Sequence, residues 1–229
     1  MMTGNWTFLR VAEAALQGGD YELGSGYCER FVRQVMQAAG ASEAVLYCCG
    51  TAWETYLALS ERYVVPAPAT VPGALLFKDA SCGSEAGHVA FYSPEVPAGG
   101  PGVIENSSTD LHRVRGALGW RTADEFGDYQ GAVVVPDPAY CSVEWLGGAV
   151  LGGRVWDGVL VAPLRELAPL LGATWTVDGD VAGVEFGGAE EVVPLQVVAG
   201  VGWCPVRALA EVADHVVSIA PDVRTAVVS

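Results

Sequence analysis

An internal repeat in the last third of the chain constrains the fold more than any other feature. Residues 163–168 (PLRELA) are matched 42 positions later by residues 205–210 (PVRALA), and residues 180–181 (DV) by residues 222–223 (DV). Each copy predicts a strand, a helix that begins at the proline, and further strands, because proline fits the first helical turn. A unit of about 40 residues buries little core alone, so we expect the copies to pack together.

A domain boundary is predicted at residues 136–138 (PDP). Before it, helical periodicity precedes short strands, whereas the chain after it is rich in valine and glycine, with regularly spaced turn signals. With 229 residues and 51% hydrophobic content, the chain can bury one sizeable core or two small ones. We therefore predict two domains, residues 1–137 and residues 138–229.

The first domain is predicted to contain helices followed by strands. An amphipathic helix within residues 1–19 has the inward positions Phe8, Leu9, Val11, Ala12, Ala15 and Leu16. A second helix is predicted at about residues 28–39, with Ser25 or Gly26 as its cap and Gly40 as its stop, and a third within about residues 42–62. Strands are predicted at residues 74–77, 88–92, 102–104 and 132–135. Helices followed by an antiparallel run of strands indicate the α+β class.

Charge and composition exclude several kinds of partner. The net charge is −15 and Lys78 is the only lysine, so the chain repels nucleic acid and anionic lipid surfaces. No apolar run approaches the roughly 18 to 20 residues that span a bilayer, so we expect no membrane insertion. A secretion signal is not expected either, because no basic segment followed by an apolar block begins the chain. We expect a monomer, although the sequence leaves the oligomeric state open.

The cysteines indicate neither a disulfide scaffold nor a metal site. The chain has six, and no two have the spacing of a zinc knuckle: Cys28, Cys48, Cys49, Cys82, Cys141 and Cys204. We therefore expect no metal and no other cofactor.

Cys28 is the candidate nucleophile. It lies at or within one residue of the predicted start of the second helix, where the helix dipole favours a thiolate. A thiolate attacks an amide carbonyl far better than a thiol does. A lone cysteine is more often a buried structural residue, so the interpretation depends on a partner base.

His88 is the candidate base. It occupies the first position of a predicted strand, and Gly87 before it allows a close approach by a partner side chain or a substrate. Of the other two histidines, His112 follows a polar stretch and His215 lies in the repeat region. His88 is therefore the histidine that we pair with Cys28.

Glu105 and Asn106 are candidates to orient the base. They end the predicted strand at residues 102–104, and either could hold one imidazole nitrogen so that the other faces the thiol. Adjacent strand residues face opposite ways, so we expect one of them to perform this role.

These segments resemble the NlpC and CHAP families of papain-like cell-wall hydrolases. The resemblance covers roughly residues 20–135 and includes Cys28 at a helix start, residues 72–77 (PGALLF), residues 87–89 (GHV) and residues 104–106 (IEN). It implies a papain-like fold, peptidoglycan as partner and amide-bond cleavage by Cys28 and His88. It also implies both Glu105 and Asn106 as site residues, and Tyr27 as an oxyanion or substrate-binding residue.

The region after residue 138 resembles the repeated domain found at the N-terminus of copper amine oxidases, mainly through residues 153–168 (GRVWDGVLVAPLRELA). The family name implies no copper here, since the region contains only His215, Cys141 and Cys204 as soft ligands. The resemblance implies a targeting or spacer module, and a purely structural packing domain is the alternative.

The expected function is hydrolysis of peptidoglycan amide bonds, as an endopeptidase or as an amidase that separates stem peptide from glycan. A phage lysin, made in the cytoplasm and released to the wall, fits a sequence in which no secretion signal is seen. A tail-associated enzyme and one exported by another route are the alternatives. Two alternatives are a hydrolase of the same fold acting on a non-wall amide and a non-catalytic wall-binding protein. A zinc amidase is a third, disfavoured because the three histidines are scattered.

Overall fold

The computed structural model describes residues 4–21, 24, 26–42, 50–63, 71–107, 112–145, 149–219 and 225–228. It is a mixed α+β structure with several antiparallel sheets, as the order of elements predicts. Its contacts divide the chain into two compact units between Pro138 and Ala139. The units are described separately below.

The α-helices among the described residues of the first unit are α1 (Trp6–Gln17), α2 (Cys28–Ala38), α3 (Ala52–Tyr63) and α4 (Ala123–Phe126). Helix α1 begins where the Asn5 side chain accepts a hydrogen bond from the Phe8 N–H, a capping arrangement that satisfies one otherwise unpaired donor. The predicted inward positions of α1 are buried, except that Val11 is only half-buried. The predicted third helix is confirmed from Ala52 onward, whereas residues 43–49 lie outside the described residues.

Helix α2 begins at Cys28, which confirms the predicted start. Its cap is different from the predicted one: the N-cap residue is Tyr27, whose side chain makes no capping hydrogen bond. Gly26 precedes the cap with φ of +78°, and Ser25 lies outside the described residues. Gly40 stops the helix as predicted, because its φ of +79° suits the left-handed position that follows many helices.

In the described part of the first unit, six strands form one antiparallel sheet: β1 (Leu75–Lys78), β2 (His88–Ser93), β3 (Gly102–Asn106), β4 (His112–Arg115), β5 (Leu118–Thr122) and β6 (Gly131–Val133). Their order across the sheet is β4-β5-β3-β2-β1-β6. The four predicted strands are confirmed to within about two residues. Strands β4 and β5 were not predicted, because their polar and charged residues hide the alternation of apolar and polar positions. A register shift between Arg113 and Arg115 also interrupts the pairing, as a β-bulge does.

The two faces of this sheet have different coverings. On one face, Phe91 makes edge-to-face contacts with Phe8 of α1 and Phe31 of α2, with ring centroids 6.3 and 6.1 Å apart. On the other face, Ala90 belongs to a small core that includes Phe126 of α4. The start of β2 is therefore fixed by packing on both sides.

The second unit contains ten strands and two helices among its described residues: β7 (Tyr140–Trp145), β8 (Val150–Trp156), β9 (Val159–Pro163), α5 (Leu164–Leu171), β10 (Thr174–Asp178), β11 (Val181–Phe186), β12 (Ala189–Pro194), β13 (Gln196–Val198), β14 (Val201–Pro205), α6 (Val206–Val212), β15 (Val217–Ile219) and β16 (Thr225–Val228). Seven strands form one sheet in the order β13-β14-β9-β8-β7-β16-β15, and β10, β11 and β12 form another.

The repeat is visible as two strand-then-helix units, β9-α5 and β14-α6. Their strands pair with each other, with Cys204 opposite Ala162, and both helices contribute to one hydrophobic core. The copies therefore pack together as expected. Pro163 and Pro205 are the N-caps of the helices rather than residues of their first turns, and residues 222–223 lie outside the described residues.

No helix in the described part of the chain is long and apolar enough to cross a membrane.

Candidate functional site

The candidate site lies at one end of the first unit's sheet, where α2 starts. Strand β2 begins there with His88, opposite Lys78 at the end of β1, and β3 ends there with Glu105 and Asn106. Cys28, only 8% exposed, occupies the first position of α2. The segments quoted above from distant parts of the sequence thus converge at one point.

The pleat of the sheet decides which side chains meet. Lys78 is paired with His88, and Arg121 of β5 is paired with Val103. Since alternate residues of a strand share a face, Glu105 lies on the same face as Val103, and therefore on the same face as Arg121. Four charged or titratable side chains, those of Lys78, His88, Glu105 and Arg121, thereby occupy one face at one sheet end.

His88 links the thiol to the carboxylate. Its Nε2 contacts Glu105 Oε2 in a hydrogen-bonded ion pair, and the ring also hydrogen-bonds the Cys28 thiol. Glu105 is fully buried, so water does not compete for this contact.

The surroundings favour a thiolate and an imidazolium. Burial alone would raise the pKa of Cys28, but the hydrogen bond and charge of His88, with the N–H groups of Val89 and Glu29, outweigh it and lower that pKa. Burial alone would lower the pKa of His88, but the hydrogen bonds and charges of Cys28 and Glu105 raise it to about 9. Both pKa shifts favour the charged forms of the two side chains.

Gly87 allows His88 to take this position. Its φ is +70°, and a Cβ atom built there would lie 2.4 Å from the Lys78 carbonyl oxygen, closer than any real side chain approaches. A side chain at this position would therefore displace the start of β2 and the imidazole with it.

Asn106 faces the other way. Its Nδ2 donates a hydrogen bond to the Gly24 carbonyl, 3.2 Å away, in the segment before α2. The structure thus brings Glu105, and not Asn106, to the imidazole. Asn106 still contributes to the wall of the cavity beside Cys28.

The other two histidines lie elsewhere. His112 contacts Glu125 at 2.9 Å and stacks on Trp120 with ring centroids 3.9 Å apart, in an exposed position. His215 belongs to the second unit and packs against Trp145.

Arg121 is a site residue that the sequence did not reveal. Its Nε lies 2.5 Å from Glu105 Oε1, and its Nη2 donates to Ser107 Oγ at 3.2 Å. Glu105 therefore has a cationic group on each carboxylate oxygen. Arg121 was missed because β5 was not predicted, so no pattern placed it beside β3.

Lys78 was also missed as a site residue. Its Nζ donates a hydrogen bond to the Phe126 carbonyl oxygen and lies 4.2 Å from the centre of the Phe126 ring. Burial, followed by the charge of Arg121, lowers its pKa. Its position as the only lysine, at the end of a predicted strand, was the available signal.

Two cavities flank Cys28 and share only Gly26 and Cys28 as lining residues. The first, about 170 Å³, has His88, Lys78, Arg121 and Asn106 in its wall. The second, about 340 Å³, has Tyr27 in its wall, with the Arg30 guanidinium 4.6 Å from the centre of the Tyr27 ring. The predicted substrate-binding residue Tyr27 therefore lies in the cavity that His88 does not line.

The arrangement combines a nucleophile, a base and an acceptor that orients the base, the three components of nucleophilic catalysis at a carbonyl. Among the described residues, no group of three or more His, Cys, Asp or Glu side chains lies close enough together to hold a metal ion.

Comparison with known proteins returned no relative: no family model matches the chain, no curated protein has a significantly similar sequence, and no solved structure has a significantly similar fold.

Proposed function

We propose that the chain is a cysteine hydrolase with a papain-like first domain that cleaves amide bonds of peptidoglycan. The observation that carries the proposal is the line of contacts from Cys28 through His88 to the buried Glu105. A thiolate at a helix start, paired with an oriented imidazolium, is suited to attack a carbonyl.

In the proposed reaction, the Cys28 thiolate attacks the carbonyl carbon and forms a C–S bond, and the carbonyl electrons move to oxygen. The Cys28 backbone N–H, at the start of α2, stabilises this oxyanion. When the tetrahedral intermediate collapses, the C–N bond breaks and His88 gives its proton to the leaving nitrogen. Water, deprotonated by His88, then hydrolyses the thioester and restores the thiolate–imidazolium pair.

Peptidoglycan is proposed because the site segments resemble those of NlpC and CHAP wall hydrolases. The bond cleaved would be one within the stem peptide or the amide that joins stem to glycan. On this proposal the enzyme acts at the cell wall, as a phage lysin, and the second unit is a targeting or spacer module with its own hydrophobic core.

The test is incubation of the purified chain with bacterial cell walls, with detection of new amino groups and mass spectrometry of the released fragments. We expect cleavage by the wild type, none by Cys28→Ala, and unchanged cleavage by Cys141→Ala, which removes a buried thiol from the second unit. Undiminished cleavage by Cys28→Ala would refute the proposal. Parallel protein substrates would show whether the amide belongs to the wall, and chelators would reveal a metal-dependent activity.

A further inference from the structure

Cys82 lies in the wall of the same cavity of about 170 Å³ as Cys28 and His88. It is the last residue of a short 3-10 helix, Ala80–Cys82, in the segment between β1 and β2. Among the described residues, Cys28 and Cys82 are the cysteines that line this cavity, and Cys82 is the one free cysteine at an exposed position. A nearly buried thiol and an exposed thiol therefore border one small space.

Lys78 connects Cys82 to the imidazole. It lies opposite His88 in the pairing of β1 with β2, and it lines the same cavity. Burial lowers the pKa of Lys78, and the negative charge of a Cys82 thiolate opposes that shift, so these two side chains lie within electrostatic range of each other. Cys82 is therefore close to the sheet end at which His88 contacts the Cys28 thiol.

The segment that carries Cys82 can move without disturbing the core. Residues 80–86 are all exposed, and exposed segments with few buried contacts open at a low free-energy cost. Two hydrogen bonds anchor the ends of the segment, between Asp79 and Gln130 and between Trp53 and Ala86. A disulfide needs Cα atoms about 4.4 to 6.8 Å apart, and movement of this segment brings Cys82 toward Cys28, which is fixed at the start of α2.

Cys28 also has the chemistry that makes a thiol easy to oxidise. A thiolate reacts far faster than a thiol, and the pKa of Cys28 is lowered. A sulfenic acid on such a cysteine condenses with a neighbouring thiol or, where no thiol is within reach, is oxidised further to an irreversible sulfinic acid. A second cysteine at the same cavity decides between these two outcomes.

We propose that Cys28 and Cys82 form a reversible disulfide when the chain meets hydrogen peroxide, and that this disulfide blocks the Cys28 sulfur until it is reduced. In the first step, the Cys28 thiolate attacks a peroxide oxygen, the O–O bond breaks, and the departing hydroxide takes a proton from His88 and leaves as water. In the second step, the Cys82 sulfur attacks the sulfenic sulfur, the S–O bond breaks, and hydroxide leaves as water with the proton of the Cys82 thiol. The two sulfurs together lose two electrons, which the peroxide accepts.

The test treats the full chain with hydrogen peroxide, blocks the remaining thiols with N-ethylmaleimide, and digests the product with trypsin in the absence of a reductant. Trypsin places Cys28 in residues 11–30 and Cys82 in residues 79–113, with no other cysteine in either peptide. We expect mass spectrometry to detect these two peptides joined by a disulfide. Dithiothreitol should then restore the reaction of Cys28 with iodoacetamide.

Cys82→Ser removes the second thiol with little change of shape. Before peroxide is added, its Cys28 should react with iodoacetamide as the wild type does. After peroxide it should give no joined peptide, Cys28 should carry a sulfinic acid, and dithiothreitol should fail to restore the thiol. Cys82→Ala should give the same loss of recovery, and Cys141→Ser, which removes a buried thiol from the second unit, should recover as the wild type does.

The outcomes separate this proposal from the hydrolase proposal, because no readout of the disulfide needs a substrate. Equal recovery of the Cys28 thiol in the wild type and in Cys82→Ser would overturn the disulfide, as would a link from Cys28 to residues 34–62, the tryptic peptide that holds Cys48 and Cys49. A joined Cys28–Cys82 peptide from a chain that leaves cell walls intact would support the disulfide and refute wall hydrolysis. Wall cleavage by a chain that forms no joined peptide would overturn the disulfide alone.

Discussion

Replacing Glu105 with glutamine tests the electrostatics of the site without requiring a substrate. The change keeps the size and shape of the side chain but removes the negative charge between His88 and Arg121. The imidazolium therefore loses the nearby negative charge that stabilises it. We therefore expect Glu105→Gln to lower the pKa of His88 and to raise the pKa of Cys28 toward its ordinary value.

The size of the effect follows from the shift of His88. Its pKa is about 9, against 6.5 for an ordinary histidine, a difference worth about 3 kcal/mol at roughly 1.4 kcal/mol per unit. Burial opposes the shift, so Cys28 and Glu105 together contribute more than this net amount. We expect the loss of the Glu105 charge to remove on the order of 1.4 kcal/mol of this stabilisation, which corresponds to a roughly tenfold lower thiolate population near neutral pH.

The assay is alkylation of Cys28 by iodoacetamide across a pH series, followed by peptide mass spectrometry. In the wild type, the midpoint of the rate profile should lie below the ordinary thiol value of 9.0, because the pKa of Cys28 is lowered. In Glu105→Gln the midpoint should move up by about one unit. Cys204, whose pKa burial raises to about 12, should stay unmodified throughout and serves as an internal reference.

Glu125→Gln is the matched control, because it also replaces the carboxylate of a histidine–glutamate pair in the same unit, but at an exposed position. It should leave the Cys28 profile unchanged. Superimposable profiles for the wild type and Glu105→Gln would refute the argument that the buried carboxylate maintains the ion pair.

Two further predictions concern stability. Arg121→Gln should lower the free energy of unfolding by about 2 to 4 kcal/mol, because it leaves the buried Glu105 with one cationic partner instead of two. Urea denaturation measures this change, and a loss under about 0.5 kcal/mol would contradict the prediction. Gly87→Ala should lower Tm more than Gly83→Ala does. Both glycines have a positive φ, but only at position 87 would the new Cβ meet backbone, at 2.4 Å from the Lys78 carbonyl oxygen. Backbone strain of this kind destabilises the fold. Equal losses would show that the close contact is relieved at no cost.

The parts of the site that sequence predicted are those with local signals. Cys28 was found because a helix start can be read from the apolar spacing that follows it, and His88 because glycine and alternating apolar residues mark the strand. The choice between Glu105 and Asn106 could not be made, because it depends on the register between β2 and β3, in which Phe91 lies opposite Ile104.

The parts that sequence did not predict depend on pairing between strands. Arg121 lies on β5, which the charged and polar residues around it conceal, and it reaches Glu105 only because β5 pairs with β3. The cap of α2 was assigned wrongly for a different reason. The prediction of Ser25 or Gly26 followed the residue preferences at helix starts, whereas the N-cap residue is Tyr27, whose side chain makes no capping hydrogen bond and whose ring contacts Arg30.

The register of the sheet also explains why the surroundings of Cys28 and His88 favour a thiolate and an imidazolium. Pairing of β3 with β5 places a guanidinium on one carboxylate oxygen of Glu105, and pairing of β2 with β3 places the imidazole on the same face, at the other oxygen. The buried Glu105 lies between these two groups, and its hydrogen bond and charge raise the pKa of His88. The charge of the imidazolium in turn stabilises the thiolate at the start of α2, where the helix dipole has the same effect. The lowered pKa of Cys28 therefore depends on the pairing of β5 with β3, and a change that shifts β5 should reduce the reactivity of this thiol toward iodoacetamide.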